Sequence, residues 1–225
     1  MSACKTVFKA ITDPQAPSNE GWFRPYTIII PEETIFSATR PAPTGWYYEA
    51  SAYATELVWK ALAPVLPERL TAGSYLSLCA TYLGGRDDQT GEFWVHPEPH
   101  NGGWGPGRSL TGQTASLLPL TGIPITAVEL LEEKFPLLVE RYSLNEGDSG
   151  GAGQWRGGLG LIREYRLLNG KAFLHASMGR NEVRPWGLAG GSWFHQLRRG
   201  GARQPSRPAP GFPTILYSRV IWFAF

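Results

Sequence analysis

The residues whose types are best suited to chemistry lie in "NEGDSGGAGQWRGGLG", residues 145–160. Ser149 follows Asp148 and precedes Gly150 and Gly151, with Gly153 and Arg156 close behind. A serine hydroxyl becomes a nucleophile when a histidine takes its proton and an acid orients that histidine. Consecutive glycine amides can instead form an anion-binding nest, to which Arg156 would add a charged fork. A third reading is conformational. Glycines free the backbone to reach positive φ, while Asp148 and Ser149 close Asx- and Ser-type turns on nearby amides.

The nucleophile reading lacks its partners. Gly147 to Gly151 spell the string found around the reactive serine of trypsin-like proteases. However, none of His96, His100, His175 and His195 stands in an Ala-Ala-His-Cys setting. Cys4 and Cys79 alone build neither a disulfide framework nor a metal spacing, a usage that suits a reducing compartment. In a chain with 27 glycines, such a five-residue match carries little weight without its structural context. An ordered turn is the leading expectation for this loop, and an anion or substrate site at Asp148, Ser149, Gly150, Gly151, Gly153 and Arg156 is the second. No catalytic residue is assigned.

A second candidate is "HPEPHNGGWG", residues 96–105. His96, Glu98 and His100 alternate, so on a strand they would share one face and could offer a metal two imidazoles and a carboxylate. Pro97 and Pro99 favour an exposed, extended loop with solvated side chains instead. Asp87 and Asp88 are adjacent, so on extended chain they diverge, which suits a hairpin loop better than a carboxylate dyad. Cys79 reads as a core residue. Arg24, ahead of an apolar run, reads as a buried charge in need of a carboxylate or phosphate partner.

The elements that must position these residues are legible in part. "YTIII" (26–30) reads as a buried strand ended by Pro31. A helix is expected over 45–62 with Thr44 as its cap, stopped by Pro64 and Pro67. Strands are expected at 74–83, at "GEFWV" (91–95), at 137–144, at 159–168 and at 171–178. Residues 86–113 otherwise read as irregular. "PITAVELLEEKF" (124–135) reads as an amphipathic helix with Pro124 at its first position. Asn169-Gly170 between two apolar runs is a strong hairpin signal. The resulting fold class is α+β, mostly antiparallel, with two main helices and glycine-rich loops.

Composition bounds the remainder. At 225 residues, with 42% hydrophobic and 18% charged residues, the chain is globular rather than disordered. The N-terminal "MSACKTVFKAITDP" has no apolar core of the secretory kind, and no run is long enough to cross a bilayer, so a cytoplasmic protein is expected. After Glu182 there are six arginines and no acid. The basic stretch lacks helical periodicity and interleaved aromatics, so neither nucleic acid nor membrane is an expected partner. Residues 192–225 are expected to form a separate, poorly packed or non-native tail beyond a domain of residues 1–191.

Three blocks, in order, resemble the hydantoinase B proteins, a family shared with the second half of 5-oxoprolinase and related to acetone carboxylase subunits. They are "DPQAPSNEGWFRPYTIIIPEETIFSATRPAP" (13–43), "GIPITAVELLEEKFPLLVERYSLNEGDSGGAGQWRGGLGLIREYRLL" (122–168) and "RPWGLAGG" (184–191). The resemblance makes the glycine loop the family's own. It implies an A-type partner that binds ATP and, with it, the hydrolytic opening of cyclic amides or imides of the 5-oxoproline or hydantoin type. It also implies a longer N-terminal region bearing metal-binding acids and histidines, a stretch this sequence does not show. A divalent metal is thus expected outside the chain, ATP through the partner, and a small molecule as substrate. The alternative is an inactive piece that only packs against a partner protein.

Overall fold

The computed structural model describes residues 1–45, 47–116, 122–147, 149–180 and 182–191, together with the backbone of 214–217 and 220–224. The elements in chain order are α1 (Ser2–Thr12), α2 (Glu20–Phe23), α3 (Tyr47–Leu62), β1 (Ala80–Arg86), β2 (Phe93–Glu98), α4 (Val128–Lys134), β3 (Leu137–Leu144), β4 (Leu161–Leu167), β5 (Lys171–Ser177), β6 (Thr214–Tyr217) and β7 (Val220–Ala224). The strands form two antiparallel sheets, ordered β2-β1-β5-β6 and β3-β4-β7. The α+β class follows.

Alternation decides which side chains meet between the sheets. Along β2, Trp94, His96 and Glu98 are buried while Phe93, Val95 and Pro97 are exposed. Along β4, the inward positions are Leu161, Arg163, Tyr165 and Leu167. The two inward rows pack with Leu83, Leu131, Leu137 and Ala172 into the main core. A smaller core joins Ile11 of α1, Ala63 and Leu70, flanked by Trp59, Trp186 and Leu188. Ala3, Val7 and Ile11, spaced by four, form the buried stripe that makes 2–12 a helix, although this segment carries no side-chain cap.

Several expectations need correction. Residues 26–30 form no strand, and Ile29 is exposed, because the run lies between Pro25 and Pro31 and pairs with nothing described. Within 74–83 the strand begins only at Ala80. Leu76 (φ 48°) and Cys79 (φ 46°) are left-handed and break the extended run before it. The helix expected from Pro124 begins at Val128, with Ala127 extended at its cap. Asn169-Gly170 closes no hairpin. β4 pairs with β3 and β7 while β5 pairs with β1 and β6, so the turn, with Gly170 at φ 69°, carries the chain from one sheet to the other.

The backbone segments 214–217 and 220–224 lie within the stretch expected as a tail. They extend the sheets beside β5 and β4. Among the described residues, no helix is long and apolar enough to cross a membrane.

Candidate functional site

Ser149 sits in a seam of interlocked glycine loops. Its hydroxyl donates to Asn145 O and accepts from Gly160 N at 3.0 Å, so it ties the two ends of the loop together. Gly157 N donates to Gly151 O (3.0 Å), Gly158 N to Trp104 O (2.9 Å) and Leu159 N to Thr114 Oγ1 (3.1 Å). The amides of 157–160 are therefore turned to protein acceptors. The segment 102–116 lies directly on this loop. A β-carbon on Gly158 would stand 1.8 Å from Gln113 O, and one on Gly112 would stand 2.0 Å from Trp104 O. Glycine is required here by thickness. Gly153 and Arg156 are exposed, Gly150 is left-handed (φ 78°), and Asp148 lies outside the described residues.

His96, Glu98 and His100 are not in an exposed loop. All three are buried, at 3%, 2% and 3% exposure, because β2 is an edge strand whose Pro97 faces outward and leaves the polar residues pointing in. Glu98 is the centre of an ionic cluster between the sheets. Its Oε2 lies 2.7 Å from His96 Nε2 and accepts from Tyr165 OH at 3.4 Å; its Oε1 accepts from Thr126 N at 3.2 Å. Arg163 Nη1 stands 2.8 Å from Oε1, but off the N–H axis, so the contact is an ion pair more than a directed hydrogen bond. The guanidinium also lies over the rings of Tyr142 (4.7 Å) and Tyr165 (5.2 Å).

The charges follow from this packing. Burial alone would raise the Glu98 carboxyl, but His96 and Arg163 together outweigh it and hold the group below its ordinary value. Burial, and then Tyr165's closeness to Glu98, push that phenol well up against the lowering effect of Arg163. His100 instead bonds Thr81 Oγ1 through Nε2 at 2.9 Å. Burial first, with Arg163 and His96 adding to it, drives its imidazole down to about 3. No three His, Cys, Asp or Glu donors converge as a metal set among the described residues.

Arg24 is exposed and not buried. It caps α2 through its backbone N–H to Gly21 O, and no strand follows to cover it. Asp87 is spent on an Asx turn, accepting from Gln89 N (2.7 Å) and Thr90 N (3.0 Å). Cys79 is fully buried, and burial pushes its thiol up to about 12.

Sequence reading missed a second polar centre, on the inner side of α3. Glu56 accepts from Arg180 Nη2, from Trp186 Nε1 (2.8 Å) and from Ser74 Oγ (3.3 Å). Nearer the start of the helix, Glu49 accepts from Ser77 Oγ (3.0 Å) and Leu78 N (2.8 Å), and Ser77 Oγ accepts in turn from Gly179 N (2.8 Å). Two acids on one helix thus anchor the irregular segments before β1 and after β5. Beside this knot opens a cleft of about 530 Å3. A larger apolar groove of about 1170 Å3 runs between the N-terminal half of α3 and residues 33–45.

Comparison with known proteins agrees with this architecture. The family model described as Hydantoinase B/oxoprolinase matches residues 1–202. An uncharacterized protein of Methanocaldococcus jannaschii is 36% identical over 186 residues, which cover 82% of this chain and 32% of that protein. A Pseudomonas protein named as the B-type component of a D-/L-hydantoinase is 31% identical over 175 residues, covering 78% of this chain and 29% of its own length. The chain thus spans about a third of these relatives. The nucleotide-free structure of acetone carboxylase, an enzyme of ATP-dependent acetone carboxylation, superimposes with a TM-score of 0.50 at 17% identity over 69% of this chain and 26% of that one; this likeness shows shared fold. On the strength of the match over residues 1–202, the chain belongs to the hydantoinase B/oxoprolinase family.

Proposed function

We propose that the chain works within the B-type component of an ATP-dependent hydrolase that opens cyclic amides or imides of the 5-oxoproline or hydantoin type. The observation that carries this reading is the match over residues 1–202 to a family named for those two rings, both of which contain an endocyclic amide. Amide resonance makes ring opening slow, and phosphorylation of the amide oxygen removes that obstacle. Transfer of the γ-phosphoryl group of ATP to the oxygen releases ADP. Water then adds at the carbon, the C–N bond breaks to give an amine and an acyl phosphate, and a second water frees phosphate. ATP is supplied through an A-type partner, in keeping with a relative whose name makes it one component of a larger hydantoinase. The engagement of Ser149 with backbone on both sides supports a bracing role for it in place of attack on substrate.

The test is to mix the purified chain with an ATP-hydrolysing A-type protein, ATP, and 5-oxoproline or hydantoin. Ring-dependent ADP release should require both proteins. Release by the chain alone, above a heat-treated control, would overturn this division of labour. A second reading, packing against a partner without catalysis, is favoured by one observation. The groove along α3 is apolar and open, with Ile35, Tyr47 and Leu57 exposed. Stable co-purification with the partner, without any rise in turnover, would select that reading.

A further inference from the structure

The cleft beside Glu56 is built like a small-molecule site. Its volume of about 530 Å3 falls within the range such sites occupy, roughly 300–1000 Å3. α3 contributes Tyr53, Leu57 and Lys60, and the segment after β5 contributes Arg180, Glu182 and Trp186. The floor is fixed from several sides. Trp186 is held through its indole N–H by Glu56 and through its carbonyl by Gly73 N at 2.9 Å. Two lining residues with β-carbons, Leu76 and Arg180, are held in left-handed backbone (φ 48° and 61°). Such strain persists only where surrounding contacts over-determine it, and it gathers at ligand clamps.

The charges of the cleft divide into two kinds. Glu56 and Arg180 are buried and satisfy one another. Lys60 and Glu182 are exposed on different elements, and no ion pair among the described residues joins them or occupies either. Lys60 Nζ lies over the Trp186 ring, 6.0 Å from its centroid, so a flat ligand that takes this indole face meets the ammonium there and offers it an acid in place of the ring. An open cation and an open anion at the rim of an aromatic-walled cleft complement a ring that carries an acid and also an N–H.

We propose that this cleft binds a small, flat lactam carboxylic acid, with Lys60 taking the carboxylate, Glu182 accepting from the ring N–H and Trp186 covering the ring face. This rests on the cyclic-amide reading above and narrows it to acidic rings. A neutral lactam gives Lys60 no charged partner, so it binds less tightly.

The test is calorimetric titration of the purified chain with 5-oxoproline and with 2-pyrrolidone, the same ring without its carboxylate. Lys60 and Glu182 are exposed, so Lys60→Gln and Glu182→Gln should keep the fold, checked by circular dichroism. Saturable binding of 5-oxoproline is expected, about tenfold tighter than of 2-pyrrolidone. Lys60→Gln should erase that preference, and Glu182→Gln should weaken both ligands. Equal affinity for the two rings, no saturable binding of either, or a preference that survives Lys60→Gln would overturn the assignment. The reconstituted ring-opening assay separates the two readings. Turnover of 5-oxoproline with a KM unaltered by Lys60→Gln would overturn the cleft and leave the function standing. Lys60-dependent binding with no turnover of any ring would overturn the function.

Discussion

Lowering the pH from 7 to 5 is expected to cost this protein about 2 kcal/mol through one residue, His100. Its ring is buried against Thr81, and burial, reinforced by Arg163 and His96 and only partly offset by Glu98, holds its pKa down at about 3. In the unfolded chain the ring titrates near its ordinary value of about 6.5. Between those two values the unfolded chain binds a proton that the folded chain refuses. The stabilisation is therefore present above about 6.5 and is lost as pH falls toward the folded value. At pH 5 the unfolded ring lies about 1.5 units below its pKa, and at about 1.36 kcal/mol per unit this is about 2 kcal/mol. The folded value lies so far below 5 that the unfolded pKa alone sets the amount. Urea unfolding at both pH values would measure the loss in the wild type and in His100→Gln, which keeps a polar group facing Thr81. The wild type should lose about 2 kcal/mol more than the variant between the two pH values. Equal losses would refute the claim that the fold holds this ring neutral.

Three further outcomes follow from the same structure. Glu98→Gln leaves the buried Arg163 without an anion and should cost about 3–5 kcal/mol by thermal unfolding; a loss below about 1 kcal/mol would mean that the aromatic rings alone compensate the guanidinium. Gly158→Ala places a carbon 1.8 Å from Gln113 O and should prevent normal folding, whereas Gly147→Ala, with nothing within 4 Å, should change stability by under about 1 kcal/mol; comparable melting curves for the two would sink the interlocked seam. Ser149→Ala should cost about 2 kcal/mol, the net worth of its two hydrogen bonds, and a fluorophosphonate probe should leave the wild-type serine unlabelled; stoichiometric labelling would revive the nucleophile.

Local pattern made part of this fold legible. β3 falls at the expected 137–144 because a short run with Leu, Val and Tyr lies between Pro136 and the breakers Asn145 and Gly147, and α3 ends where Pro64 follows. Pairing was not legible. Asn169-Gly170 has the composition of a hairpin turn, but partner strands are chosen by burial across the molecule, and β1 and β3 claim the two arms. α1 went unread although Ala3, Val7 and Ile11 carried a four-residue spacing that would have revealed it. At the sites, the alternation of His96, Glu98 and His100 was visible, while their burial depended on Arg163, 65 positions beyond Glu98. Glu56 looked like any solvated helix acid, because the residues that bury it are 124 and 130 positions away.

Those separations bear on how the chain is made. At roughly 5–20 residues per second, a ribosome takes about 6–25 s to reach Arg180 after placing Glu56. For that interval, Ser74 is the only one of the three donors to Glu56 yet synthesised, and the small core around Ile11, Ala63 and Leu70 waits for Trp186 and Leu188 to cover it. The helical half is therefore born with an acid and an apolar side both facing water. A nascent chain stalled before residue 186 would present a natural target for chaperones, and release of that hold would coincide with emergence of the arginine and the tryptophan that line the cleft.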